Sequence, residues 1–422
     1  MCSDQSRRDQ SLLGAVSAVV DDFGDQLISV RREIHANPEL SWQEVETTGR
    51  IAAWLREAGM EPVLLPETTG LYVDVGPQEA GFAAAFRGDI DALPLTDLSE
   101  LPYASQNAGV AHSCGHDVHT TVMVGLALSL QRLHQERIEA GDSAGLGARF
   151  RIIFQPAEET MPGGAQEVVR QKLLRPVPRI FALHCDPRLD VESIGTRIGP
   201  ITSAADVVRI EVTGRGGHTS RPHLTEDVVG ALAHIATTVP AVLARRIDAR
   251  SAVSLVWGQI QSGSAHNAIP STGTLVGTMR ILDAEVWRDA GDLLTQIISQ
   301  CAAPFGVDVD LEHIRGVPPV INAERETTLL ENAGRQILGE NAVELAPQSM
   351  GGEDFAWMTQ EVPGSMFRLG TRAPGGEDYD LHRGDYAPDE RAIGVGVKVM
   401  LSAALRALAE SFSEPASSST GS

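Results

Sequence analysis

The densest group of metal-binding residue types lies at positions 112–119, which read His-Ser-Cys-Gly-His-Asp-Val-His. Three histidines and a cysteine stand in this short segment, although the whole chain has 12 histidines and 4 cysteines. Thiolate and imidazole are ligands that borderline-soft divalent metals prefer, and Gly115 would let the backbone turn tightly between Cys114 and His116. The segment therefore indicates a metal site, whereas the plainer interpretation is a helix that happens to begin with a histidine-rich turn.

Spacing alone does not decide which of these side chains would bind the metal. His112 and His116 are four positions apart, and His116 and His119 are three, so either histidine pair would share one face of a helix. Cys114 and His116 form a third candidate pair. The choice of ligands within the segment therefore stays open.

Two adjacent carboxylates, Glu158 and Glu159, follow residues 155–157 (Gln-Pro-Ala) directly after an apolar run. Neighbouring carboxylates can divide roles, because one can bind a metal while the other stays free as a general base. A solvated acidic turn is the more common fate of an isolated Glu-Glu pair. The position after an apolar strand and before a glycine pair favours a functional role here.

Three further histidines stand out only in combination with these two motifs. His184 directly follows the apolar run 180–183, and His382 lies close to the carboxyl terminus. His218 lies in the glycine-rich stretch 214–220, where a backbone could approach a ligand closely and the imidazole could polarise a carbonyl. Each histidine taken alone is more often a structural residue, and a glycine-rich stretch is more often only a turn.

The charge balance limits the partners of this chain. It has 34 basic and 56 acidic residues and a formal net charge of −22 at pH 7, and so acidic a surface repels phosphate groups. We therefore expect neither a nucleic acid nor an anionic membrane as a partner. An anionic substrate would need a local positive trap from metal ions or arginine, and Arg280 together with the amide of Asn267 would suit the binding of a carboxylate.

Cysteine usage and the amino terminus suggest the cellular setting. The four cysteines, at positions 2, 114, 185 and 301, are few and scattered, which is not typical of a disulfide framework, so we expect a reduced, cytoplasmic protein. The apolar run 12–20 loosely imitates a secretory signal, but three aspartates follow it without a clear cleavage site. An amphipathic helix that continues through Leu27 and Ile34 is the favoured interpretation. We expect no apolar stretch long enough to span a bilayer.

Short apolar runs alternate with helical patterns in the first part of the chain. Strands are predicted at 82–86, 150–154 and 180–183, and helices at 47–58 and 120–133. This alternation predicts an α/β domain with a mostly parallel sheet and helices on both faces. In such sheets the chemistry gathers at the carboxyl ends of the strands, which is where the carboxylate pair would lie.

The middle of the chain has a complete small pattern of its own. The predicted elements follow the ferredoxin-like order β-α-β-β-α-β and lie at 205–212, 225–244, 253–260, 274–281, 284–301 and 307–313. A unit with its own core at this place is typical of an inserted domain. We therefore expect a catalytic α/β domain at 1–201 and 317–410, an inserted lid or dimerisation domain at 202–316, and a disordered, low-complexity tail at 411–422.

Taken together, the motifs resemble one family in order and spacing. It is the family of two-metal amidohydrolases and carboxypeptidases that includes aminoacylases, hippurate hydrolases and plant auxin-conjugate hydrolases. The resemblance extends from about Arg31 to about Leu408 and is specific for the family rather than for a substrate. The motifs that carry it are Arg87-Gly-Asp-Ile-Asp-Ala-Leu-Pro94, His112 to His119, Phe154-Gln-Pro-Ala-Glu-Glu159, Gly217-His218, Asn267-Ala-Ile-Pro270, Met350-Gly-Gly-Glu-Asp-Phe355 and His382.

The resemblance implies a metal-dependent amidohydrolase with two divalent ions in each subunit. It identifies Cys114 as the ligand that bridges both ions, His116 and Glu159 as further ligands of one ion, and His184 and His382 as further ligands of the other. Manganese or zinc is the implied metal, with cobalt or nickel as alternatives, and a thiolate bridge shifts the preference toward softer ions.

The resemblance also implies the remaining roles. Glu158 would be the general base, and Asp91 would orient a metal ligand through a hydrogen bond. His218 and Asn267 would reach the active site of a neighbouring subunit from the insert, and Arg280 would lie near the substrate carboxylate. The protein would therefore be a homodimer.

The implied reaction is hydrolysis of the amide bond of a small N-acyl amino acid by a metal-activated water. A dipeptidase or carboxypeptidase with the same mechanism is a close alternative. A catalytically silent metal-binding protein on the same fold and an enzyme that uses Cys114 as a nucleophile are alternatives of different kinds. Many relatives have a histidine where this chain has Asp89 and an aspartate where it has Cys114, which leaves the identity of the metal open.

Overall fold

The computed structural model describes residues 14–377 and 379–411. The chain divides into two compact units, each with its own sheet. The first unit contains the chain up to Gly199, Asn322–Pro347 and the chain from Trp357 onward, and the second contains Pro200–Ile321 and Gln348–Ala356. The domain boundaries drawn from the sequence remain predictions, and the predicted tail 411–422 lies outside the described residues except for Ser411.

Helices and strands alternate through both units. A helical stretch at 14–21 precedes the helices α1 Gly24–Ala36, α2 Val45–Glu57, α3 His116–Glu139, α4 Ala165–Arg170, α5 Val228–Arg246, α6 Ala284–Ala302, α7 Glu324–Leu338, α8 Phe355–Glu361 and α9 Arg391–Ser411. The strands are β1 Val63–Leu64, β2 Leu71–Val75, β3 Phe82–Asp89, β4 Arg149–Gln155, β5 Ile180–Asp190, β6 Ile194–Thr196, β7 Gly199–Pro200, β8 Ala204–Thr213, β9 Gly217–His218, β10 Ser254–Ser262, β11 Ala268–Ile269, β12 Thr272–Ile281, β13 Asp308–Val317, β14 Ile321–Asn322, β15 Val343–Leu345 and β16 Gly364–Arg372. Short 3-10 helices occupy Pro222–Leu224, Ala249–Ser251, Ala303–Phe305 and Glu340–Ala342.

The first unit is built around a sheet in the order β1-β2-β4-β3-β5-β16-β6-β15. Its central strands β4, β3, β5 and β16 run parallel, and antiparallel pairings join β2 to β4 and β6 to β16. Strands β3, β4 and β5 are buried along most of their length, as expected for strands that helices cover on both faces. The predicted, mostly parallel α/β fold is therefore confirmed.

One strand is longer than the sequence pattern predicted. The apolar run 180–183 predicted a strand that ends at His184, but β5 continues to Asp190. Its partner β16 extends the parallel pairing beyond that point, with Arg368 opposite His184 and Leu369 opposite Cys185. His184 therefore lies within a strand rather than in the loop that follows it.

Helix α3 carries the histidine-rich motif into the core of the first unit. Its residues from His116 to Leu130 are all buried, and the helix packs against α1 and α9. At Gly125 the approach is so close that a Cβ atom would lie 2.6 Å from Val397 and 2.9 Å from Leu27, which only glycine avoids. A first turn buried in this way fixes His116 relative to the sheet.

The second unit has the predicted ferredoxin-like architecture. Its antiparallel sheet follows the order β10-β12-β8-β13, and helices α5 and α6 pack against each other and against this sheet. The alternation of buried and exposed residues along β8 is typical of a strand with one face covered. Asp227 and Asp283 cap the two helices, because their side chains accept backbone N–H groups of the first turn. The predicted βαββαβ order is confirmed.

Two helices have the length and composition of a membrane span, which corrects the expectation that no apolar stretch would be long enough. They are Val228–Arg246 and Arg391–Ser411. Most of the second helix is buried in the core of the first unit, and a helix buried on most sides needs an apolar composition for that reason alone. Length and composition therefore give only weak support for a membrane span in this chain.

Candidate metal centre

The turn before helix α3 separates two candidate ligands. Gly115 directly precedes the helix and adopts the left-handed conformation, with φ 87°. A Cβ atom at this position would lie 2.9 Å from the sulfur of Cys185, so glycine is required both for the conformation and for the space. The tight turn predicted from the sequence is confirmed, with Cys114 on one side of it and His116 on the other.

Asp91 fixes the ring of His116. Nδ1 of His116 lies 3.0 Å from the carbonyl oxygen of Asp91 and 3.2 Å from a carboxylate oxygen of the same residue, so Nδ1 carries the proton. Nε2 is buried without a hydrogen-bond partner among the described residues and lies 3.8 Å from a carboxylate oxygen of Glu158 and 3.8 Å from one of Glu159. Nε2 thus faces two carboxylates, in a position from which the imidazole would bind a metal once this nitrogen loses its proton.

A backbone carbonyl orients His184 in a similar way. Nδ1 of His184 donates to the carbonyl oxygen of Cys185 at 2.8 Å, and Nε2 lies 3.5 Å from the sulfur of Cys114. Burial and the nearby positive charge of Arg368 hold the pKa of His184 well below its usual value. The ring is therefore neutral, and the lone pair of its Nε2 faces the thiol.

The other two histidines of the motif have different surroundings. His119 uses both ring nitrogens, because Nδ1 donates to the Asp89 carboxylate at 2.6 Å and Nε2 accepts the N–H of Cys185 at 2.8 Å. His112 is buried, and burial lowers its pKa to about 4. It belongs to none of the clusters of potential ligand atoms among the described residues. The geometry therefore favours His116 as the ligand, a choice that spacing left open.

Two loops bring further groups to the same place. The backbone N–H of Glu159 donates to the Asp91 carboxylate at 3.0 Å, and a side-chain oxygen of Glu159 lies 3.3 Å from Nε2 of His382. The backbone N–H of His382 donates to the carbonyl oxygen of Ser113 at 2.9 Å. The side chain of His382 is 52% exposed and that of Glu159 is 10% exposed. The cluster of candidate ligands is therefore open to solvent at His382.

The potential ligand atoms form several overlapping groups, and two of these groups share Cys114. One group joins Cys114, His116 and His184, another joins Cys114, Glu159 and His382, and the atoms of each group lie within 4.8 Å of one another. The buried, unpaired Nε2 of His116 needs a partner. A divalent cation bound by thiolate, imidazole and carboxylate would be a suitable one. The donor set therefore fits two ions that share Cys114.

The charges around this group favour cations. Burial raises the pKa of the Cys114 thiol well above its usual value, and the negative charge of Glu159 adds to the effect. Burial lowers the pKa of His116, but Asp89 and Cys114 outweigh burial and hold that pKa well above its usual value. Neighbouring negative groups contribute to both shifts, in addition to burial at Cys114, so both side chains retain their protons. Divalent cations would displace these protons, because metal binding and proton release are coupled.

The three candidate residues of the insert lie in the second unit. His218 is exposed, and the hydroxyl of Ser220 lies 2.8 Å from its Nδ1. A backbone hydrogen bond of 3.2 Å joins the residue after His218 to the carbonyl oxygen of Asn267. Arg280 lies on β12 and donates to the carbonyl oxygen of Met350. The structure therefore brings His218 and Asn267 together, because His218 in β9 pairs with Ala268 of β11, the residue that follows Asn267.

Two residues that support the centre belong to none of the sequence motifs. The hydroxyl of Ser41 donates to the Asp91 carboxylate at 2.7 Å, and the side chain of Glu44 accepts the backbone N–H of Ala157 at 2.8 Å. Both lie in the turn that leads into helix α2. Nothing in the composition of that turn distinguishes it from an ordinary helix start, so no signal in the sequence pointed to them.

Comparisons with known proteins agree with this geometry. The model of peptidase family M20/M25/M40 matches residues 85–406. The N-acetyl-L-cysteine deacetylase of Bacillus subtilis is 34% identical over 368 residues, which cover 87% of this chain and 85% of that protein. A Rhodococcus jostii protein that carries a glutamate–cysteine ligase name is 44% identical over 376 residues, or 89% of this chain. The chain spans about half of that longer relative, 46% of its length.

A solved structure of the same family also matches this chain. The crystal structure of a dinuclear metal-binding peptidase of the M20 family from Bacillus subtilis matches with a TM-score of 0.79 and 30% sequence identity. The match covers 92% of this chain and 99% of that chain. The likeness therefore extends well beyond the motif segments to nearly the whole length of both chains.

Proposed function

Since the chain belongs to peptidase family M20/M25/M40 and is a metal-dependent hydrolase, we propose that it cleaves the amide bond of a small N-acyl amino acid. The observation that carries the proposal is the convergence of Cys114, His116, Glu158 and Glu159 in overlapping, largely buried groups of potential ligand atoms. Similarity to an N-acetyl-L-cysteine deacetylase supports this substrate class. The free cysteines among the described residues support a reduced, cytoplasmic setting.

Five side chains would hold two divalent ions, with the bridging residue first: Cys114, His116, Glu159, His184 and His382. When bound, the ions would lower the pKa of a water molecule and polarise the scissile carbonyl. Manganese or zinc suits this mixture of thiolate, imidazole and carboxylate, with cobalt or nickel as alternatives. Asp91 would act by orientation, because its contacts to His116 and to the Glu159 backbone hold both ligands in place.

Glu158 would act as the general base. It accepts a proton from the attacking water while the oxygen of that water bonds to the amide carbon. It then returns the proton to the amide nitrogen as the C–N bond breaks, which yields a carboxylic acid and an amino acid. The distance of 3.8 Å between a Glu158 carboxylate oxygen and Nε2 of His116 supports this role, because it brings the base next to the ligand group.

The proposal includes a homodimer with shared active sites. His218 and Asn267 would complete the site of a neighbouring subunit, where His218 donates a hydrogen bond to the developing oxyanion, and Arg280 would bind the substrate carboxylate. The exposure of His218 on its glycine-rich turn supports this role. Strand β10 lies at the edge of the insert's sheet and is largely exposed, and an unpaired edge is a liability that a second copy can cover.

A substrate panel tests the proposed chemistry. N-acetyl, benzoyl, indoleacetyl and long-chain acyl amino acids and a set of dipeptides are offered to protein loaded with Mn²⁺ or Zn²⁺ and to chelator-treated protein. We expect the loaded protein to hydrolyse at least one N-acyl amino acid faster than any dipeptide, and the chelator to abolish the activity. Preference for dipeptides would favour the peptidase alternative, activity that survives chelation would favour Cys114 as a nucleophile, and metal binding without hydrolysis would favour a silent protein.

Subunit mixing tests the shared active site. A Glu158→Gln subunit and a His218→Ala subunit should each be inactive on their own. If His218 acts across the interface, a mixed dimer has one site with both residues intact, and activity should partly return. If it acts within its own chain, every site lacks one of the two residues. No recovery after verified subunit exchange would therefore contradict the shared site.

A further inference from the structure

A buried carboxylate outside the ligand group contacts the loop that carries Glu158. Glu44 directly precedes helix α2 and has none of its surface exposed. Its Oε1 accepts the backbone N–H of Ala157 at 2.8 Å, and its Oε2 accepts the hydroxyl of Thr69 at 2.5 Å. Burial raises the pKa of this carboxyl to about 7. A carboxyl in such a place is unfavourable unless its hydrogen bonds offset the loss of water.

Ala157, the residue that Glu44 contacts, has a backbone conformation that alanine rarely adopts. Its φ of 52° lies in the left-handed region, where the Cβ atom crowds the following carbonyl oxygen. Such a conformation persists only where the surroundings stabilise it. The carbonyl oxygen of Ala157 accepts the N–H of Gly164 at 2.9 Å. The contact with Glu44 is therefore one of two backbone hydrogen bonds that hold the conformation.

The loop is held on both sides of the proposed base. Glu44 binds the N–H of residue 157, and the Asp91 carboxylate binds the N–H of Glu159 at 3.0 Å. Glu158 lies between these two points, and neither contact uses its carboxylate. The backbone on both sides of Glu158 is therefore bound by a buried carboxylate, Glu44 on one side and Asp91 on the other.

We propose that Glu44 is a positioning residue of the active site, which holds Ala157 in the left-handed conformation and so aims Glu158 at the substrate amide. The inference rests on the proposed function in one respect, the role of Glu158 as general base. Glu44 acts through Ala157 and touches neither substrate nor metal. A purely structural carboxylate at this position would affect the stability of the protein, but not the turnover of the folded molecules.

Substitutions at position 44 separate the two roles. Glu44→Gln keeps an acceptor for the Ala157 N–H, so kcat should stay within about threefold of the unmodified protein. Glu44→Ala removes the acceptor, and we expect kcat to fall by about 10- to 100-fold, the scale of residues that orient active-site groups, with KM nearly unchanged. Thr69→Val is the matched control, because it removes the other hydrogen bond of the carboxyl and leaves the Ala157 contact. Its kcat should stay close to that of the unmodified protein.

A second substitution tests whether the effect passes through Ala157. Glycine adopts the left-handed conformation without the steric penalty of alanine. Ala157→Gly in the Glu44→Ala background should therefore restore a measurable part of kcat, at least about fivefold, without restoring the lost hydrogen bond. Circular dichroism and metal content by elemental analysis are recorded for every variant. Glu44→Leu, which keeps most of the volume, replaces Glu44→Ala if the latter does not fold.

The outcomes distinguish this inference from the proposed function. An unchanged kcat in a folded, metal-loaded Glu44→Ala protein would overturn the positioning role. So would a loss of kcat that Ala157→Gly leaves unchanged, because the effect would then not pass through residue 157. If Glu158→Gln keeps its turnover, the general-base assignment fails first and independently of Glu44. If Glu158→Gln loses turnover and Glu44→Ala keeps it, only the positioning role of Glu44 is overturned.

Discussion

The two units of the chain surround their candidate site residues in opposite ways. In the first unit, Cys114, His116 and His184 are at most 7% exposed, and hydrogen bonds at Nδ1 leave Nε2 of each histidine facing the cluster. In the second unit, His218 and Asn267 are exposed, so water can satisfy their polar atoms. The same residue types therefore stand in very different environments.

Burial decides how strongly a histidine in each unit indicates a bound metal ion. An unpaired buried imidazole nitrogen is unfavourable until it finds a partner, and a bound ion would supply that partner to Nε2 of His116. An exposed histidine has no such requirement, and the role of His218 depends on a substrate and a second subunit. Substitutions of the proposed ligands in the first unit, and of Asp91 that orients them, should therefore change metal binding, and matched substitutions in the second unit should not.

The largest effect is expected from matched cysteine substitutions in the two units. Cys114→Ala removes the side chain that two of the groups of potential ligand atoms share, so bound metal should fall and kcat/KM should drop at least about 1000-fold, as expected when metal catalysis is lost. Cys301→Ala changes an equally buried cysteine in helix α6 and should keep both. Metal content by elemental analysis checks this, and full metal content in Cys114→Ala would contradict the shared-ligand role.

The next effect concerns stability and pH. The pKa of Glu44 is raised from 4.5 to about 7 in the folded chain, so the folded state binds more protons than the unfolded state between these values. The contribution of Glu44 to stability is thus present below about pH 4.5 and is lost as the pH rises through about 7. Relative to Glu44→Gln, the unmodified chain should lose up to about 3 kcal/mol of unfolding free energy over this range.

Urea denaturation at about pH 5 and about pH 8 measures this difference. The Gln side chain cannot titrate, so the variant should show a flatter dependence of stability on pH. Identical pH dependence in both proteins would show that Glu44 keeps an ordinary pKa. In that case its burial would be less complete in solution than in the structure.

A pair of buried aspartates gives a smaller effect. Asp91→Asn weakens the groups that orient His116 and Glu159, and we expect metal affinity to fall by about 10- to 100-fold. Asp206 in the second unit is also fully buried, and it accepts hydrogen bonds from Trp287 at 2.9 Å and from His313 at 2.7 Å. Asp206→Asn should lower the melting temperature without changing metal affinity. If Asp91→Asn and Asp206→Asn bind metal with equal affinity, the two units do not differ in their role in metal binding.

The smallest effect on stability and on metal binding is expected at the exposed histidine. His218→Ala removes a side chain with few contacts, so the unfolding free energy should change by no more than about 0.5 kcal/mol and metal affinity should not change. Differential scanning fluorimetry and a metal titration check this result. A clear loss of stability or of bound metal would show that His218 has a structural or ligand role within its own chain.

The sequence predicted most of the elements because local patterns determine them. The βαββαβ insert follows from alternation along β8 and from helical spacing in α5 and α6, and each predicted element lies within a few residues of its observed position. Strand β5 was predicted too short, because the pairing that extends it comes from β16, far away in the chain. Local hydropathy does not contain that information.

The ligand group itself could be predicted only in part. Residue types indicated a metal site at 112–119, and only the family resemblance selected Cys114 and His116. The choice between His116 and His119 depends on a hydrogen bond from the backbone of Cys185, 66 positions after His119. Glu44 was missed for the same reason, since 113 positions separate it from Ala157. Such contacts exist only after folding, and no spacing rule describes them.

Turnover and metal content of Glu158→Gln test the central claim most directly. The substitution keeps the size and hydrogen-bonding shape of the side chain but removes its ability to accept a proton. If Glu158 is the base and other side chains hold the metals, turnover of the Glu158→Gln protein should fall at least about 100-fold. Its metal content by elemental analysis should equal that of the unmodified protein. Turnover within a few-fold of the unmodified protein, at equal metal content, would contradict the account.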